Sequence, residues 1–531
     1  MGRIWHVLPK PAPRHTDAPQ RRVFTNCWSS DPWREPSWVG PDEFRFAQEI
    51  RPVRAAADWN RVGTAALWLY NLHYFDDLNA IGWDARADWH RRLIGRWIDE
   101  NPAGIGVGWD SYPTSLRLVN WIKWALRGGS LSDAALASLA LQARWLESRL
   151  ETHLLGNHLW SNAKALSFVG VFFAGEEASR WLAKGCRLIE EELAEQCLLD
   201  GGHFERSPMY HGIFLEDLLD LLQLVRLQPS CFPSGWPVML AAVIDRLTEW
   251  MAAMVHPDGD IAFFNDATSG VCARLASLRP SAAAHAGAGL RHMAPSGFLR
   301  MQAGGATVFA DVGSVGPDHL PGHAHAGTLS FELSVGAARA VVNGGVSVYG
   351  ISVERHRQRG SRAHSTLIID GKDSSEVWAG FRVARRARVV GAGDISGDGL
   401  LRFWAAHDGY RRLSGSPLHK RTWTLGPDGL SVTDEVTGAG SHRLEIVFHL
   451  APGWRAEPAD ASSIRVSAVD PLPGSVQCVT VRYEPPFEAL IEGSSWHPGF
   501  GISVPSSTIV LRAQTGLPLR HTTHIGWHPV P

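Results

Sequence analysis

The chain has few cysteines and no excess of charge of either sign. Its six cysteines (Cys27, Cys186, Cys197, Cys231, Cys272 and Cys478) show no CxxC spacing, which speaks against a disulfide framework and against a thiolate zinc site. Lys+Arg 51 against Asp+Glu 53 leaves a formal net charge of -2. Dedicated nucleic-acid binders carry a basic excess, so no nucleic-acid partner is expected. A local basic cleft for an acidic substrate stays open. No apolar run reaches ~18 residues, so no membrane span is expected. The first thirty residues carry Arg3, Lys10, Arg14, Arg21 and Arg22 around no apolar stretch, and no signal peptide is expected there. Low-complexity tracts and strong internal repeats are also missing.

What is abundant is tryptophan, 23 residues, and histidine, 24. Tryptophan lines sugar-binding clefts and also fills cores, and both readings are open for most of them. Hydrophobic residues at 45% and charged residues at 20% fit a folded globular protein. At roughly 150 residues per domain, 531 residues suggest two to four domains.

The pattern changes near residue 290. Before it, apolar residues step by three and four: Leu136 to Leu154, Leu182 to Cys197, Phe214 to Val225, Leu240 to Met254. Gly128-Gly129, Gly201-Gly202 and Pro229 to Pro237 separate these runs. Helices joined by short loops pack antiparallel, and a series of such hairpins can close into an incomplete α/α toroid. After Ser296 come short β-type runs, among them Leu329–Val335, Thr366–Ile369, Arg443–Leu450 and Thr508–Arg512. They suggest an antiparallel sandwich. The expectation is an α+β multidomain chain: an extension over 1–54, an N-terminal incomplete α/α toroid over 55–285, an Ala- and Gly-rich linker over 275–296, and a C-terminal antiparallel β-sandwich over 296–531.

Four segments carry candidate chemistry. In Gly156-Asn157-His158, Gly156 ends one helix and Asn157 opens the next. Asn157 is then either an N-cap or, with His158, a donor pair for a carboxylate at a helix N-terminus. The loop from Asp200 to His211 holds His203, Glu205, Arg206, Tyr210 and His211 between two apolar helices. In Gly322-His323-Ala324-His325, an extended chain points both imidazoles the same way. With Asn343 and His364 in neighbouring β-type segments, His325 completes a possible divalent-ion set, the alternative being a hydrogen-bonded histidine cluster. The Glu354–Arg362 run is either a solvated basic loop or an anion-binding rim built on residues such as Arg355 and Arg359.

Taken in order, Leu67–Phe75, Gly108–Arg117, Asn157-His158, Gly201–His211, Gly322–Leu333 and Arg355–Asp370 resemble the heparinase II/III family of polysaccharide lyases over roughly residues 60 to 400. The resemblance implies β-elimination on a uronate: removal of the C5 proton, expulsion of the C4 oxygen and a 4,5-unsaturated product. It implies that Asn157, His158, Tyr210 and His323 are catalytic, Asn157 and His158 at the substrate carboxylate with His158 also a possible base, and that His325, Asn343 and His364 hold a structural divalent metal, zinc first. No organic cofactor is expected. Trp109, Tyr112, Arg206, His211, Arg355 and Arg359 are the expected substrate contacts. Two positions depart from the family pattern: Asn343 and Gly327 stand where aspartate is usual. Tyrosine has an ordinary pKa of about 10, so a Tyr210 base needs positive charge nearby, with Arg206 or His211 the candidates.

A uronyl C5-epimerase shares the proton abstraction. A glycoside hydrolase needs two carboxyl groups, for which Asp110 and Glu205 are at hand. A non-catalytic polysaccharide-binding protein needs neither Tyr210 nor His323. The expected partner is an acidic polysaccharide or oligosaccharide: heparan-like, alginate or a bacterial exopolysaccharide. The family implies a periplasmic or secreted setting, the basic N-terminal stretch a cytoplasmic one.

Overall fold

The computed structural model describes residues 16–282, 287–470 and 476–527. Most of the basic stretch behind the signal-peptide expectation, up to His15, lies outside the described residues, as do residues 283–286 of the expected linker. The chain divides into two units: the first runs to Cys197 and includes Phe214–Asp245, and the second comprises Leu198–Ile213 and Arg246–Pro531. Helices Pro208–Leu227 and Trp236–Ala253 contribute residues to both.

In the first unit, helices Ala66–Tyr74, Ser111–Leu126 and Gly156–Phe172 pack in succession, and Ala87–Glu100 packs on Asp133–Glu147. Packing on the next helix but one gives two layers. Burial follows from that. Nearly every residue of Gly156–Phe172 is buried, whereas Ala87–Glu100 buries only the stripe His90, Leu93, Ile94 and Trp97. An apolar helix suits an inner layer and an amphipathic one an outer layer. The helix expected over Leu136–Leu154 stops at Glu147, and Thr152 to Leu154 form a turn. Ahead of the helices, Trp38–Gly40, Glu43–Phe46 and Glu49–Pro52 form a three-stranded antiparallel sheet inside what reads as an extension.

Many tryptophans are core. Trp59, Trp97, Trp121, Trp124, Trp160 and Trp181 are fully buried in this unit. Arg117 is buried among them, its guanidinium 3.9 Å from the Trp97 ring, donating to Gln142 at 2.9 Å and to the His73 carbonyl at 3.1 Å.

The second unit is a β-sandwich. One antiparallel sheet of nine strands includes Phe298–Ala303, Ala306–Asp311, Phe331–Val335, Ala338–Val342 and Ser441–Leu450. The other, of eight strands, includes Leu401–His407, Leu418–Leu425, Gly429–Thr437 and Leu519–Trp527. Alternate residues point inward: in Leu418–Leu425 those are His419, Arg421, Trp423 and Leu425. Both sheets feed one apolar core, Leu299, Phe331 and Ile446 meeting Trp423, Val432 and Ile525. The strand Gly289–Met293 lies within the expected linker, so the sandwich begins earlier than composition suggested. No disulfide forms among the described residues. None of their helices is long and apolar enough to cross a membrane.

Candidate active site

The second unit's chemistry sits on the connections between strands, where loops present side chains from a rigid scaffold. The loop before Pro208 turns at Gly201, whose φ of +86° is left-handed. Ser207 then starts the helix. Its hydroxyl accepts from the Tyr210 N–H at 3.2 Å, and Pro208 occupies the first turn, where a missing N–H costs nothing. The same hydroxyl donates to the Asp266 carbonyl. Tyr210 is thereby fixed one turn into the helix and tied to the segment that orders the rest of the site.

That segment is Asn265-Asp266, which follows the buried run Ile261–Phe264. Asn265 adopts a φ of +58°. Its amide donates to the Arg206 carbonyl at 2.7 Å, and its oxygen accepts from the His325 N–H at 3.0 Å. The Asp266 carboxylate is fully buried and accepts from three side chains. His323 Nδ1 lies 2.9 Å from one oxygen and His325 Nε2 2.8 Å from the other, while Arg355 bridges both through its two terminal nitrogens, Nη2 at 2.7 Å. Burial alone raises a carboxyl's pKa. Here the Arg355 guanidinium and the two imidazole hydrogen bonds outweigh it and hold Asp266 well below the carboxylate range. With Asp266 ionised, Nδ1 of His323 is the donor to it, and Nε2 is the ring nitrogen left for chemistry. That nitrogen lies 3.9 Å from Glu205.

Tyr210 and His323 come together. Their ring centroids are 3.9 Å apart at 32°. The Tyr210 hydroxyl is 3.1 Å from that of Tyr349. Burial raises the Tyr349 hydroxyl well above 10, so Tyr349 keeps its proton, and either hydroxyl can donate in the pair. Phe381 completes the surround, its ring 5.9 Å from His323 and 5.3 Å from Tyr349.

Several predicted contacts are placed elsewhere. Glu354–Arg362 is not a solvated loop; most of it lies in the helix Val353–Arg359, capped by Ser352. Arg355 and Arg359 are fully buried, which leaves neither on an open rim. Arg355 also donates to the Gly380 carbonyl at 3.0 Å, and Arg359 to the Ala324 carbonyl at 3.0 Å and the Arg382 carbonyl at 3.2 Å. Together they grip the hairpin that carries Phe381. His211 is buried as well, hydrogen-bonded to the Leu247 carbonyl at 2.9 Å and 4.3 Å from the Trp250 ring. Burial pushes it down to about 4. It is therefore neutral and supplies no charge to a Tyr210 phenolate. Arg206 donates to the Ser314 carbonyl at 2.6 Å.

His325 and His364 also meet, Nδ1 to Nε2 at 3.2 Å. Two nitrogens bound tetrahedrally at zinc distances lie roughly 3.3 Å apart. Asp266 on the far nitrogen of His325 is the carboxylate–histidine arrangement that supports metal ligands. The imidazole pair thus fits an ion and equally fits a hydrogen bond. Asn343 has its oxygen 3.2 Å from the Ser365 N–H, while its amide nitrogen is buried without a partner. Among the described residues no trio of His, Cys, Asp or Glu is placed to hold a metal, so an ion on the two imidazoles needs a ligand of another kind, for which Asn343 is the residue the sequence offers. At Gly327 a Cβ would lie 3.1 Å from the His364 ring, so a side chain there would require that ring to give by a few tenths of an ångström.

In the first unit, the helix Gly156–Phe172 has Leu155 as its N-cap, with a φ of 60° and no side-chain cap. Asn157 is inside the first turn and is not the cap. His158 Nδ1 lies 3.0 Å from a Glu151 oxygen, and its ring packs 4.6 Å from that of Tyr112 at a tilt of 40°. The other Glu151 oxygen accepts from Asn162 at 3.0 Å. Trp109 is core: it is buried, donates to the Asn101 carbonyl, and packs between Trp97 and Trp145.

The residues that organise these clusters, Asp266, Tyr349 and Glu151, have no motif around them. Asp266 offers one local signal, a polar Asn-Asp pair directly after the apolar run Ile261-Ala262-Phe263-Phe264.

Two family models match the chain: heparinase II/III N-terminus over residues 130–283 and heparinase II/III-like, C-terminal, over residues 285–528. A heparin-sulfate lyase of Pedobacter heparinus is 26% identical over 258 residues, covering 42% of this chain and 38% of that one. A heparin-sulfate lyase of Bacteroides stercoris is 29% identical over 113 residues, covering 21% of this chain and 17% of that one. The alignments thus span less than two-fifths of these curated relatives. The crystal structure of heparinase III superposes with a TM-score of 0.69 at 15% identity, covering 92% of this chain and 80% of that one, which is a likeness of fold.

Proposed function

The chain belongs to the heparinase II/III family, and from that membership and the geometry above we propose that it is a polysaccharide lyase acting on a uronate-containing acidic polysaccharide, heparin or heparan sulfate first. The observation that carries the reading is the Tyr210 ring lying 3.9 Å from the ring of His323, whose Nδ1 is held by a buried carboxylate.

In this reading the reaction is a β-elimination. The C5 proton becomes acidic as charge on the neighbouring carboxylate is met by donors, the role that the family resemblance gives to Asn157 and His158; such stabilisation is worth several kcal/mol. Glu151 keeps the His158 ring oriented. His323 supplies an Nε2 lone pair, and Asp266 stabilises the imidazolium that forms when it takes a proton. Tyr210 exchanges its proton at the same sugar, as base at C5 or as acid at the C4 oxygen according to the C5 epimer. Where Tyr210 acts as phenolate, the protonated Tyr349 hydroxyl 3.1 Å away is placed to donate to it and so stabilises that form. His325, His364 and Asn343 would hold a divalent ion if one binds, and its part would be structural, fixing the loop that carries His323.

The test is incubation with a panel of heparin, heparan sulfate and unsulfated uronate polysaccharides, read by ultraviolet absorbance and mass spectrometry. Unsaturated oligosaccharides are expected. Solvent deuterium at C5 without chain cleavage identifies an epimerase instead. Tyr210→Phe is expected to fold and to abolish product; near-normal turnover by the folded variant removes Tyr210 from the chemistry.

A further inference from the structure

We propose that a groove lined by Arg385, Arg386 and Arg388 binds the sulfate or carboxylate substituents of sugars flanking the one at His323; the identity of the ligand rests on the lyase reading above. The groove has a volume of about 560 Å³ and is closed on its other side by Ser314, Val315 and Asp318. It adjoins the catalytic cluster through packing. Val315 and Ala387, both lining it, form a small apolar cluster with Ala324, the residue between His323 and His325. The chain that carries the arginines comes directly from Phe381, whose ring is 5.9 Å from His323.

The arginines divide by task. Arg386 is engaged, donating to Asp318 at 3.1 Å and to the Pro317 carbonyl at 3.2 Å, and so shapes the wall. Arg385 is exposed, and its nearest acid, Glu376, is 3.9 Å away, outside hydrogen-bond distance. Arg388 is exposed, and its guanidinium has no hydrogen-bond or ion partner among the described residues, while its N–H donates to Asp408 at 2.8 Å and its carbonyl accepts from the Asp408 N–H at 3.1 Å. A fixed backbone carrying one guanidinium fork without a partner and one held only by an exposed 3.9 Å ion pair is what bidentate recognition of sulfate or carboxylate needs. Three arginines against one aspartate make the groove locally basic in a chain whose net charge is -2.

The experiment measures binding of a heparin tetrasaccharide, and of its desulfated counterpart, to full-length Tyr210→Phe protein with and without Arg385→Gln/Arg388→Gln, by calorimetry at two salt concentrations. The double substitution is expected to weaken heparin binding about tenfold, the scale of two exposed charge pairs, and to flatten its salt dependence. A larger loss on the sulfated ligand assigns the groove to sulfate; an equal loss assigns it to carboxylate. In the catalytic background the same pair raises KM and leaves kcat within about twofold. Unchanged heparin binding by the folded double variant, or no heparin binding by the parent, overturns the groove. If the Tyr210→Phe protein binds through these arginines yet the wild-type protein forms no unsaturated product on any polymer, the lyase reading fails and the groove stands.

Discussion

Replacing Asp266 by asparagine strikes the residue on which the second unit's site converges. The carboxylate accepts from Arg355, His323 and His325 and is fully buried, as is Arg355. Asparagine keeps the size but offers one acceptor oxygen and a donor where only donors face it. The Arg355 charge is left buried and uncompensated, which costs about 3–5 kcal/mol. For a unit of this size that lowers the unfolding midpoint by roughly 5–10 °C. Turnover falls further, because an amide N–H facing His323 Nδ1 shifts the proton to Nε2 and removes the outward lone pair. The same exchange in a serine-protease triad costs about 10⁴-fold in kcat, and a loss of about 10²- to 10⁴-fold is expected here. Calorimetry gives the midpoint, and initial rates at a temperature where the variant is folded give kcat and KM separately. Arg355→Gln serves as control: it destabilises on a similar scale but leaves the His323 tautomer in place, so its kcat falls less. Combining the two relieves the unpaired charge, and the double variant is more stable than the sum of the single losses. A folded Asp266→Asn protein with kcat within threefold of wild type and an unchanged midpoint would refute the assignment of Asp266 as the orienting carboxylate.

Acid lowers stability through buried imidazoles. Burial holds His211 and His449 near 4 and His73 near 3, against an ordinary value of about 6.5. The folded state refuses protons that the unfolded chain accepts below that ordinary value, so the midpoint drops as pH falls from about 6.5 towards 4; a flat profile over that window contradicts the burial of these rings. Elemental analysis of purified protein is expected to find about one zinc per chain, lost on His364→Ala; equal metal content in both proteins makes the His325–His364 contact a hydrogen bond.

The helical runs and the β runs were legible because burial on one face imposes a period on sequence. That period reports which residues face a core, not where a helix ends. Leu150 and Leu154 keep the spacing of the preceding helix although the backbone has left it at Glu147. Histidine pairing was legible at His323 and His325 through their spacing. Asp266 was not, since it is fifty-seven residues from His323, and nothing local distinguishes an aspartate that will be buried among cations from one on a turn.

By itself the sequence determined the order of the two architectures, the absence of a charge bias, and the identity of the tyrosine and histidine brought to one place. Tertiary structure alone decided what each polar group faces. Arg355, Arg359 and His211 look like surface chemistry because charge and polarity are properties of the residue. They are interior because partners from distant strands and loops, Asp266, the Ala324 carbonyl and the Leu247 carbonyl, satisfy them there. A buried polar group is stable only with its partner in place, and that partner is chosen by the fold.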